Sequence, residues 1–185
     1  MFKEKYRSVL DEYEKFWERK NTGRPILNMA YTKPNSQAYR APTTLEEQWL
    51  DPEYNYTAFK RRTENQEFLA EGIPGYFANL GPGCLAACLG SGYELAKQTI
   101  WFERDQFITD WENPPAVKFN EQSEMWQHIT RMQQRFAADP EVCFSITDLG
   151  GIMDIVASLR GTENLLYDLY DYPEEVYDFT KEVRR

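Results

Sequence analysis

The chain has 185 residues, 42% hydrophobic and 15% aromatic, with 12 Tyr, 11 Phe and 5 Trp. That is enough buriable surface for one domain with a sizeable core, and too much for a disordered chain. A net charge of −9 and a pI near 4.8 exclude the basic footprint of a nucleic-acid-binding surface.

Three cysteines, an odd number, fit a reduced cytoplasmic protein better than a disulfide scaffold. Met1–Lys20 is charged and amphipathic, unlike a secretory signal, and no run of about 18 apolar residues reads as a membrane span. Phe2, Tyr6, Val9, Leu10, Tyr13, Phe16 and Trp17 recur at helical steps and predict a helix over 2–19, ended by Asn21-Thr22-Gly23. Pro25–Tyr31 reads as a short strand and Thr32–Thr43 as a long loop. Thr44 caps a short helix with Glu47 three residues on, and Asp51-Pro52 opens a polar helix to about Glu71.

Pro74–Gly90 then reads P-G-Y-F-A-N-L-G-P-G-C-L-A-A-C-L-G. The strand Tyr76–Leu80 meets a Gly81-Pro82-Gly83 corner and hands over to the small-residue helix Cys84–Leu89. Glu94–Phe102 forms a hairpin with Phe107–Trp111. A helix over 121–138 buries Met125, Ile129, Met132 and Phe136 and leaves His128 at the surface. Val142–Thr147 is the third clear strand, followed by helices at Ile152–Leu159, Glu163–Tyr170 and from Pro173. The pattern is α/β with about three parallel strands, and it puts the loops Asn79–Gly83 and Thr147–Gly151 at one end of the sheet.

Asp148, just past a strand and before Gly150-Gly151, is either the N-cap of the next helix or a catalytic carboxylate that handles a proton, hydroxyl or cation. Asn28, an amide in an apolar strand, is a substrate contact or a member of an internal polar network, and Tyr31 on the same strand is a further substrate candidate. Asn79 and Gly81 either present backbone N–H groups to an anion or simply build the turn. Trp101, with Trp49, Phe102 and Trp111, lines a pocket for an apolar or methylated cationic ligand or packs in the core, and Glu103 adds a counter-charge or a solvated rim. Cys84 and Cys88 read as small buried thiols rather than a metal or redox pair, and no residue set in this chain reads as a metal site.

Several phrases together resemble the N-terminal half of the uroporphyrinogen decarboxylase family, including its cobalamin-linked methyltransferase branch. They are Gly72–Gly90, T-I-W-F-E at Thr99–Glu103, D-L-G-G at Asp148–Gly151, and L-R-G-T-E-N-L-L-Y-D-L-Y-D-Y-P-E-E-V at Leu159–Val176. The resemblance implies that residues 1–185 form about three βα units of a partial TIM (β/α)8-type barrel, half of the family's usual length. It implies a lyase or a corrinoid-linked methyltransferase, with this chain inactive by itself and completed by a missing C-terminal half or by self-association into a homo-oligomer.

Two departures turn the expectation away from porphyrinogen decarboxylation. The family's arginine-rich segment after the first strand corresponds to Asn28–Asn35, N-M-A-Y-T-K-P-N, which has no arginine. The aspartate expected near the second strand is missing from Tyr76–Leu80, where Asn79 is the nearest polar group. Zinc, in the methyltransferase branch, belongs to the absent half. A small-molecule substrate or a corrinoid protein is the expected partner, with neither nucleic acid nor membrane. The alternative is a non-enzymatic, self-associating half-barrel that serves as a binding or scaffold module.

Overall fold

The computed structural model describes residues 6–102 and 106–184. In chain order the elements are α1 (Arg7–Trp17), β1 (Asn28–Thr32), α2 (Leu45–Leu50), α3 (Pro52–Glu64), β2 (Gln66–Ala70), β3 (Gly75–Phe77), α4 (Cys84–Leu89), β4 (Glu94–Leu95), β5 (Ile100–Trp101), α5 (Glu124–Ala137), β6 (Cys143–Ser145), α6 (Ile152–Arg160), α7 (Thr162–Asp171) and α8 (Pro173–Val183). The expected helix over 2–19 falls on α1, its first residues lying outside the described ones. The described residues are mixed helix and sheet, 45% to 11%, so most apolar burial must come from helix faces. It divides into two units: Met1–Phe77 with Gln133–Ser145, and Ala78–Met132 with Ile146–Arg185. No described helix is long and apolar enough to cross a membrane.

In the first unit, side-chain caps start two helices. Thr44 Oγ1 accepts from Glu47 N (3.1 Å) to begin α2, and Asp51 Oδ1 accepts from Tyr54 N (2.8 Å) to begin α3, with Pro52 in its first turn. The helix expected to run to Glu71 stops at Glu64, and residues 66–70 pair antiparallel with β1, Asn28 opposite Ala70 and Tyr31 opposite Glu67. Helix-favouring Gln, Glu, Leu and Ala yield here to the ladder that β1 offers. One expected parallel strand is therefore half of an antiparallel ribbon. The end of the ribbon is stapled: Glu71 accepts from Arg24 Nη1 (2.7 Å) and Leu27 N (3.0 Å), which holds its carboxyl down at about 2.

The parallel pairing in this unit joins β3 to β6, with Tyr76 opposite Phe144. An aromatic stack secures it. The Tyr76 and Phe136 rings lie face to face at 3.5 Å, and Phe59 meets both edge-on at 5.6 Å. Phe136 is fully buried, and burial pushes the Tyr76 phenol up to about 12.

The second unit is built on a cluster of Ala86, Leu89, Ile108, Trp111, Ile155, Val156, Leu159, Leu165, Val176 and Phe179. Residues from α4, α6, α7 and α8 meet there, with Trp111 edge-on to Phe179 at 5.7 Å. Met125, Ile129 and Met132 of α5 are buried at the spacing expected. His128 is a correction: it is 9% exposed, because the buried side of α5 is wider than the methionine stripe. The Arg131 guanidinium donates to its Nδ1 (2.8 Å), so Nε2 carries the ring hydrogen. Burial first, then the Arg131 charge, lowers the pKa of this histidine.

The hairpin also differs. Its turn lies inside the expected strand, Ala96 N donating to Thr99 O (2.9 Å), so that β4 pairs with β5. Phe107 and Ile108 instead donate their N–H groups to the Leu159 carbonyl (2.9 and 3.0 Å), an acceptor the C-terminal end of α6 leaves open.

Candidate functional site

The loops that follow β3 and β6 touch in the second unit. Each begins with a polar side chain that closes an Asx turn: Asn79 Oδ1 accepts from Gly81 N (3.1 Å), and Asp148 Oδ1 accepts from Gly150 N (2.8 Å). Both side chains are exposed. Gly150, at φ +81°, lies so close to the other loop that a Cβ there would sit 2.1 Å from the Pro82 carbonyl oxygen. The Cys84 thiol donates to the Asp148 carbonyl at 2.8 Å. Burial, with smaller contributions from Cys88 and Asp148, pushes this thiol up to about 12, so it stays protonated and keeps its hydrogen to donate.

Glycine in the Gly81-Pro82-Gly83 corner is a steric requirement. The Phe102 ring lies across it, and a Cβ at Gly83 would approach that ring within 2.6 Å. The Ser91 hydroxyl donates to one acceptor at a time among the carbonyls of Phe102, Gly92 and Ser158, the last at 3.2 Å, and so joins the hairpin to α6. Asp148 is not the N-cap of α6. That position belongs to Gly151, whose N–H donates forward to Asp154 Oδ2 (3.2 Å).

Asn79, Gly81 and Asp148 are thus brought together as two interlocked turns. Trp101 stands on β5, 63% exposed, next to Ile100, whose carbonyl lies 3.5 Å from the Cβ position of Gly81. Phe102 and Trp111 are core residues and Trp49 is half-buried. Asn28 and Tyr31 lie on β1 of the first unit, where every residue of the strand is exposed, so Asn28 is no member of a buried network. Glu103 lies outside the described residues.

The arrangement offers an exposed carboxylate and an exposed amide on hydrogen-bonded turns, with the exposed Trp101 indole on the same unit. Such a set can accept or hold a proton, orient a hydroxyl or amine, and stack an apolar or cationic group. Among the described residues no three His, Cys, Asp or Glu side chains converge as a metal-binding set.

Sequence reasoning missed the Cys84 tie, since thiols among alanines give no signal for a carbonyl acceptor 64 residues away. It also missed Arg160 with Asp168. That guanidinium donates through Nε (2.5 Å) and Nη2 (3.2 Å) to the buried carboxylate and through Nη1 to the Ile108 and Thr109 carbonyls (3.1 and 2.8 Å). The eight-residue step from Arg160 to Asp168 across Gly161 was the available cue. Beside them a half-open cavity of about 450 Å³ is lined by Asp110, Trp111, Glu112, Tyr172 and Glu175 among others.

No protein-family model matches the chain, and neither a curated protein nor a solved structure shows significant similarity to it.

Proposed function

We propose that the chain is part of a (β/α)8 barrel of the uroporphyrinogen decarboxylase-like kind, acting on a small molecule and nearer to the corrinoid-linked methyltransferases than to the porphyrinogen decarboxylases. The observation that carries this reading is the parallel β3–β6 pair, each strand leading through a glycine loop into a helix, α4 and α6, with the two loops interlocked. Barrel enzymes place their chemistry on the loops after the strands. Parallel strands are ordinarily covered on both faces, yet Phe77 and Phe144 are 48% and 40% exposed. Neighbouring barrel strands, from a longer chain or a second copy, would cover them.

In this reading Asp148 is the catalytic carboxylate, Asn79 and Gly81 orient the substrate, and Trp101 stacks on its apolar or methylated end. Segment 28–35 holds Lys33 as its sole cation, and that lysine is bound to the Glu64 carbonyl (2.9 Å), which suits a polycarboxylate poorly. Zinc, where this family uses it, would be held by residues outside this chain, and no step is derived through it.

The test is the polypeptide purified from its native source. A covalent mass near twice 21.9 kDa is expected, together with demethylation of small methylated amines, ethers or thiols in the presence of reduced cobalamin. Asp148→Asn should lower that turnover about a hundredfold or more. Porphyrinogen decarboxylation by the native protein would overturn the choice of branch. A native 21.9 kDa chain that dimerises with no turnover would overturn the enzyme reading and support the binding module instead.

A further inference from the structure

The inner face of the α7–α8 pair buries Leu165, Val176 and Phe179, as an amphipathic pair should, but the outer face is also apolar. Leu166, Tyr167 and Tyr170 on α7 are 66, 64 and 87% exposed, and Leu169 on α7 and Tyr177 on α8 are exposed as well. Positions 166, 169 and 170 share one side of the helix by the three-and-four rule. A tyrosine and leucine surface of this kind marks an interaction site more often than a solvated face.

Acids outnumber cations around it, although Lys181 Nζ lies over the Tyr177 ring at 4.0 Å. Glu163, Asp171, Glu174 and Glu175 are all exposed, while the lysine of the pair, Lys181, is bound to Asp178 (2.7 Å). A second copy of this chain would bring the same acids against these, and anionic lipid or nucleic acid would meet the same repulsion. What complements the face is an apolar stripe flanked by lysines or arginines, which pair with the exposed acids.

We propose that the outer face of α7 and α8 docks a basic amphipathic helix of a partner protein. The inference stands apart from the barrel reading, since it uses neither the β3–β6 pair nor Asp148. The probe is an 18-residue leucine–lysine helical peptide, titrated into the full chain by calorimetry. One-to-one binding is expected, weakened several-fold between 0.05 and 0.5 M salt. The double change Leu166→Ser with Tyr170→Ser, which alters no charge, should weaken it at least tenfold, and so should Glu163→Gln with Glu175→Gln. Glu121→Lys, away from the face, should leave it within about twofold. Circular dichroism confirms that each variant is folded, both pairs being exposed.

Equal binding of a leucine–glutamate peptide, or unchanged affinity in the Leu166/Tyr170 variant, overturns the proposal. So does a dimer of the free chain that this variant dissociates, which would make a second copy the occupant. Binding to vesicles of anionic lipid that the same variant abolishes would overturn it in favour of a membrane.

Discussion

Three residues show how a neighbour decides what a position does. Asp139 is held at about 2 chiefly by the Tyr56 hydroxyl (2.5 Å), helped by the Glu141 N–H and by Lys60. Its folded pKa lies below the value of about 4 for an unfolded aspartate, so its stabilisation is complete above about pH 4 and drains away between pH 4 and 2. Asp139→Asn should remove this segment of the stability–pH curve and cost on the order of 1–2 kcal/mol at neutral pH, measured by urea unfolding. His128 behaves alike for a different reason. Burial lowers its pKa, so protonation favours the unfolded chain, and the contribution is lost as pH falls from about 6.5 toward the lower folded value. Gly150 shows the steric case. A methyl group there collides with the Pro82 carbonyl at an unfavourable φ, and Gly150→Ala should cost at least about 2 kcal/mol in thermal or urea unfolding.

Among elements, the short parallel pair depends on the stack beneath it. Phe136→Ala, which removes the ring that meets Tyr56, Phe59 and Tyr76, should destabilise by about 3–5 kcal/mol and disturb β3 before any helix of the second unit. Asp168→Ala should cost a similar amount, because it leaves the Arg160 guanidinium, 13% exposed, without its counter-charge. The same comparison shows what the residues reveal unaided. Caps at Thr44 and Asp51 and the glycine corner before α4 are local signals, written within four or five residues, the methionine stripe of α5 is written within a single helix, and each was legible. The pairing of β2 with β1 and the placement of Phe107 against α6 depend on partners 34 to 52 residues away, which no local pattern contains. For the candidate site, the turn residues Asn79, Gly81 and Asp148 could be read, while the thiol that ties them could not.

For the whole molecule, the two loops carry both the chemistry proposed and the means to watch it. Cys84 and Cys88 are fully buried and Cys143 is half-exposed, so alkylation of the native chain should modify Cys143 first and leave the other two for a later, slower phase. The Asp148→Asn change should leave that slow phase near the wild-type rate while lowering turnover, separating chemistry from scaffold. Gly150→Ala should hasten it, tenfold for every 1.4 kcal/mol taken from loop closure. Because the Cys84 hydrogen is shared with the Asp148 carbonyl, its sulfur is masked for as long as the two turns stay joined. A ligand that clamps them would slow the labelling of Cys84 whatever reaction follows. The thiol thereby becomes a built-in clock for screening ligands before any product has been identified.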